Sequence, residues 1–102
     1  MAQFDVFQNA RGGAFPLLLD VQAEVLARLE SRVVVPLALR KKFPAKPISR
    51  LHPIVVVSGA EYVALFHQLA AYPASGLGQP VGSIAHQRNV LIAALDLLFT
   101  GA

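Results

Sequence analysis

The stretch from Ser83 to Phe99 contains good helix formers and neither Pro nor Gly. Ser83 is placed to cap its start, because a hydroxyl can accept from a first-turn N–H that lacks a partner. Gly101 is placed to stop it, since glycine enters the left-handed conformation without a Cβ penalty. Ile84, Leu91, Leu95 and Leu98 recur at helical spacing and share one face, which should cover a core. Val90, Ile92, Leu97 and Phe99 make the other face apolar too, and after Asn89 only Asp96 interrupts. A helix that is apolar all round is buried all round. A short chain cannot easily cover both sides of its terminal helix, so a partner surface is expected, most simply a second copy in a homodimer. A membrane anchor is not expected, because residues 90–99 span roughly 15 Å as helix against the ~30 Å of a bilayer core.

The rest of the composition agrees. At 102 residues the chain should form a single domain over 1–102. Its hydrophobic fraction of 55% against a charged fraction of 15% is rich for such a length and again suggests surface buried on a partner. With no cysteine there is no disulfide, thiolate nucleophile or thiolate metal site. The start, Met-Ala-Gln-Phe-Asp, lacks the basic and apolar regions of a signal peptide. A cytoplasmic protein is expected. Net charge is +3. Arg40, Lys41, Lys42, Lys46 and Arg50 cluster in one stretch, which should attract an acidic partner.

Taken in order, residues 3–8 read as a strand, 9–13 as a Gly-bearing turn and 15–21 as a second strand buried on both faces. Residues 22–30 form a connector whose Val25, Leu26 and Leu29 suggest a turn or two of helix. Residues 32–39 make a third strand around Val33-Val34-Val35, with Pro36 placing it at an edge or a bulge. Residues 40–50 form a basic loop. Residues 53–57 and 62–68 form a hairpin around the Gly-bearing turn Ser58-Gly59-Ala60-Glu61. Pro73, Gly76, Gly78 and Pro80 leave room for one short strand at most. The expected fold is α+β and mainly β, a small antiparallel sheet or barrel packed by the terminal helix.

Catalytic patterns are weak. His52, placed at a strand start, His67, in the second hairpin strand, and His86, in the first helical turn, have no metal-ligand spacing. A His pair could serve acid–base cleavage of RNA, yet nothing in the sequence pairs them. Asp5, Asp20, Glu24, Glu30, Glu61 and Asp96 show no dyad spacing. No serine sits in a nucleophile elbow, and Gly76-Leu77-Gly78 reads as a surface turn rather than a phosphate loop. No catalytic residue, metal site or cofactor is assigned.

The ordered blocks Gln3-Phe4, Leu19-Asp20-Val21-Gln22, Arg32-Val33-Val34-Val35-Pro36-Leu37, Leu51-His52-Pro53 and Leu97-Leu98-Phe99-Thr100-Gly101-Ala102 resemble the CcdB family of toxin–antitoxin toxins. The resemblance runs from Gln3 to Ala102. It implies the SH3-like barrel with a C-terminal helix shared by CcdB, Kid and MazF proteins, assembled as a homodimer. It also implies a non-enzymatic activity: binding the A subunit of DNA gyrase, trapping the gyrase–DNA cleavage complex, and neutralisation by a CcdA-like antitoxin with an acidic disordered segment. No direct nucleic-acid site is assigned.

Carried over by position, the gyrase surface would comprise Asp96, Phe99, Thr100, Gly101 and Ala102, with Val25 and Phe4 nearby. The antitoxin surface would comprise Arg11, Arg40, Lys41, Lys42, Lys46 and Arg50, whose charge suits an acidic peptide that folds on binding. The best-known member ends in Trp-Gly-Ile where this chain has Thr100-Gly101-Ala102, so an aromatic able to stack on an arginine is missing. Two alternatives remain open: an endoribonuclease of the MazF/Kid kind, and a non-toxic homologue that binds antitoxin alone.

Overall fold

A computed structural model describes residues 2–102. Its strands are β1 (Asp5–Asn9), β2 (Leu17–Asp20), β3 (Ser31–Leu39), β4 (Ile54–Val57), β5 (Ala60–Ala64), β6 (Ala70–Pro73) and β7 (Leu77–Ser83). They form one antiparallel sheet in the order β4-β5-β3-β2-β1-β7, with β6 also paired to β3. The helix α1 (Arg88–Thr100) follows. This is the mainly β arrangement with a terminal helix that the sequence predicts.

The run Leu17-Leu18-Leu19 is buried on both faces, as its unbroken apolarity requires. Leu19, Val35, Leu37, Val55 and Phe66 form the core with Phe4, Val6 and, from the helical side, Ile84, Leu91 and Ala94. Leu95 packs against that core while half-buried.

β3 corrects the expectation of an edge strand. It is the hub of the sheet, pairing β2 on one side and both β6 and β5 on the other. Pro36 sits where the second partner changes: β6 pairs residues 31–34 and β5 pairs 37–39. The Pro36 carbonyl accepts from the Leu65 N–H at 3.1 Å, and its missing donor falls in the gap between the two partners. Proline is tolerated in a central strand because no acceptor faces its nitrogen.

Other boundaries also moved. The hairpin turn is only Ser58-Gly59, with φ of 51° and 81°, between the paired residues Val57 and Ala60. Two left-handed residues are what a two-residue type I′ turn needs. β5 stops at Ala64, and residues Phe66–Gln68 form a 3₁₀ turn, so His67 is not in a strand. The segment from Leu69 to Pro80, expected to hold one short strand at most, holds β6 and the first four residues of β7. Gly78 permits this: a Cβ there would lie 2.9 Å from the Gln8 carbonyl oxygen on β1. The connector carries a single 3₁₀ turn, Glu24–Leu26, and the basic loop opens with another, Arg40–Lys42.

Ser83 does not cap α1. Its Oγ accepts from the Ala85 N–H at 3.2 Å and starts a separate 3₁₀ turn, Ala85–Gln87, which holds His86. α1 begins after Gln87, without a side-chain cap. Gly101 ends it as expected, with φ 75° and its N–H donated to the Leu97 carbonyl.

Candidate protein-interaction surface

The expected contact residues fall on separate elements. On α1, Leu91 and Ala94 turn inward, whereas Val90 and Phe99 point out, Phe99 with 68% of its surface exposed. The two-sided apolarity of the helix therefore leaves one face without a covering layer in the single chain. Asp96, Thr100, Gly101 and Ala102 are all exposed. The tail is not loose: Thr100 Oγ1 donates to the Asp96 carbonyl at 2.7 Å and accepts from the Ala102 N–H at 3.3 Å.

Val25 is 87% exposed, at the tip of the 22–30 connector. Leu26 and Leu29, which the site assignment omitted, are exposed beside it, giving an apolar lobe. Their helical spacing was the signal available in the sequence, where it suggests a turn or two of helix without saying which side is covered.

That lobe is braced from the core. Asp20 and Arg32 form a buried ion pair at 2.6 Å. The other Asp20 oxygen accepts from the Gln22 N–H at 3.0 Å. The Gln22 side chain accepts from the Val33 N–H at 3.0 Å and donates to the Leu26 carbonyl at 2.9 Å. Arg32 Nη1 reaches the same carbonyl at 3.4 Å. The Asp-x-Gln pattern therefore fixes the base of the exposed lobe.

Phe4 departs from its expected place. It is 1% exposed, and its ring belongs to the core. Its backbone takes a left-handed φ of 71°, fixed by Phe4 N–H to the Asp20 carbonyl at 2.6 Å and Ile84 N–H to the Phe4 carbonyl at 3.0 Å. Phe4 ties the N-terminal strand and the entry to the helix onto β2 and offers no contact surface.

The basic residues do not form one patch. Arg40 pairs with Glu61 at 3.0 Å, and Arg11 lies over the Tyr72 ring at 5.1 Å. Arg50 turns away to the tail, donating to the Ala102 carbonyl at 2.7 Å. Lys41, Lys42 and Lys46 are exposed. Lys42 stands on the rim of a groove of about 450 Å³ floored by Phe15, Pro16, Leu39, Phe43 and Leu65. The groove joins the β1–β2 loop to the basic loop, a proximity the sequence did not reveal.

The fold also pairs two histidines that the sequence left apart. His52 Nε2 and His67 Nδ1 lie 2.7 Å from each other. His52 is buried, and burial and then the neighbouring His67 charge lower its pKa from 6.5. Among the described residues no group of three or more His, Cys, Asp or Glu side chains is arranged to hold a metal ion, and no helix is long and apolar enough to cross a membrane.

Comparison with solved structures finds a similar fold in an endoribonuclease in complex with its cognate antitoxin, from a mycobacterial species. The TM-score is 0.76 at 17% identity, over 96% of this chain and 93% of that one. The family model described as CcdB protein matches residues 3–101. The sheet, the helix and the near-complete match together place this chain in the CcdB family of toxin–antitoxin toxins.

Proposed function

We propose that this chain acts without enzymatic chemistry of its own, as a cytoplasmic toxin that binds the A subunit of DNA gyrase and traps the cleaved-DNA complex. The observation that carries this reading is the grouped exposure of Val25 with Leu26 and Leu29 on the lobe and of Phe99 with Val90 on the helix, apolar surface of the kind that marks an interaction site. Val25 and Phe99 stand at positions where the family resemblance puts the gyrase contact. In a homodimer built on the open helix face, two lobes and two tails would act together. A CcdA-like antitoxin would bring acidic and apolar side chains to Lys42 and its groove, with Arg11, Lys41 and Lys46 steering the approach.

The test is a gyrase supercoiling and DNA-cleavage assay with purified protein, with and without residues 100–102. Trapped cleavage that disappears on truncation, in a chain that still folds and binds antitoxin, is expected. A folded protein that leaves gyrase untouched would overturn the reading in favour of a homologue that binds antitoxin alone.

The His52–His67 pair is the one observation favouring an endoribonuclease. It falls short geometrically. His52 Nδ1 accepts from the Ile48 N–H at 3.0 Å and its Nε2 faces His67, so His52 has no nitrogen left for substrate. Cleavage of RNA by the metal-free protein, lost in His67→Ala, would restore that reading.

A further inference from the structure

We propose that Arg50 is a positioning residue for the C-terminal tail, and that the His52–His67 pair is the catch that keeps it there. Only the consequence for gyrase rests on the function proposed above.

The argument begins with a closed loop. The His52 N–H donates to the Ile48 carbonyl at 2.8 Å, and the Ile48 N–H donates back to the His52 ring Nδ1 at 3.0 Å. Ser49, Arg50 and Leu51 are enclosed between these two bonds. Arg50 sits at φ 68°, a conformation that non-glycine residues adopt only when their surroundings impose it. That backbone turns the guanidinium across the fold, where Nη2 donates to the carbonyl of Ala102 at 2.7 Å and lies 3.5 Å from that of Ala93. One side chain thus links the last residue to the body of α1.

The catch has a defined protonation state. His52 Nδ1 is an acceptor, so its hydrogen is on Nε2 and is donated to His67 Nδ1 at 2.7 Å. His67 then carries its hydrogen on the exposed Nε2. A proton added to His52 would set Nδ1–H against the Ile48 N–H. A proton added to His67 would set Nδ1–H against His52 Nε2–H. Both rings must be neutral for the loop to stay closed, and His52 retains no lone pair for a metal ion.

Little else is available to compensate a charge there. From the basic loop, the Phe43 ring meets His52 edge-on at 6.3 Å, while Arg50 is turned to the tail and Lys46 is solvent-exposed. On β5, Glu61 is held by Arg40. On β3, Arg32 is held by Asp20. On α1, Arg88 is bonded to Gln3, and Asp96 is exposed. Acidification should therefore open the loop, release Arg50 and free the tail.

The experiment is ¹⁵N relaxation at Gly101 and Ala102 in the full-length chain at pH 7.5 and pH 5, with a thermal melt as control. At pH 7.5 the wild type should show backbone order parameters near ~0.8, falling below ~0.6 at pH 5. Arg50→Gln should show the low values at both pH values with an unchanged melt at pH 7.5. His67→Ala removes the acceptor of the His52 Nε2–H, so its tail should show the low values already at pH 7.5. Wild-type order in Arg50→Gln at pH 7.5, or a tail indifferent to pH while the imidazole signals titrate, would overturn the proposal. The measurement needs no gyrase: a wild type with an ordered, pH-released tail that fails to bind gyrase would overturn the proposed function and leave this inference standing.

Discussion

Arg32 directs two of its N–H groups, Nε at 2.9 Å and Nη2 at 2.6 Å, onto a single carboxylate oxygen of Asp20, and both residues are buried. The second Asp20 oxygen is taken by the Gln22 N–H, so the buried charge has its hydrogen bonds satisfied. The pair links β2 to β3 at the point where the exposed lobe leaves the sheet.

Removing one partner strands the other as a buried charge. Arg32→Leu or Asp20→Leu is expected to cost about 3–5 kcal/mol in urea denaturation. The double Leu variant should cost clearly less than the two single losses added together. Additivity would mean that the ion pair does not act as a unit.

Gln22→Ala leaves the Val33 N–H and the Leu26 carbonyl without their side-chain partner. The expected loss is about 1–3 kcal/mol. Hydrogen exchange should quicken at residues 24–29 more than in α1. Uniform exchange across the chain would show that the lobe has no local brace.

Phe4 and Val25 were grouped as contact residues, and their burial separates them. Phe4→Ala is expected to cost about 3–5 kcal/mol as a core truncation. Val25→Ala should shift stability by no more than about 0.5 kcal/mol, yet weaken gyrase binding in a pull-down with the A subunit. A Val25 variant that binds fully would remove the lobe from the interface.

The lowered pKa of His52 has a stability consequence with a definite sign. The unfolded chain takes up a proton near pH 6.5, whereas the folded chain resists until lower pH. Between those values the unfolded state binds more protons, so stability rises with pH. The contribution is present above about pH 6.5 and is lost as pH falls through the folded value. The melting temperature should drop on acidification, less steeply in His67→Ala. A melting curve flat from pH 7.5 to 5 would contradict it.

The sequence by itself determined the elements whose signal is local. Leu17-Leu18-Leu19 reads as a doubly buried strand, Ser58-Gly59-Ala60-Glu61 as a chain reversal that the structure narrows to its first two residues, and the helix stop at Gly101 follows from backbone freedom, because each depends on residues adjacent in the chain. The family pattern was legible for the same reason, as blocks in fixed order. Only tertiary structure decided what depends on distant partners. Pro36 reads as an edge signal until β5 and β6 leave a gap opposite it. Phe4 and Val25 are both apolar residues, and one is core and the other surface because Ile84 and Asp20 close over the first while nothing covers the second. Arg50 reads as one member of a basic cluster until a left-handed φ aims it at Ala102. His52 and His67 are fifteen residues apart in sequence and 2.7 Å apart in space. Spacing along the chain carries periodicity and turn chemistry, but a contact between remote side chains exists only once the sheet has brought their backbones together.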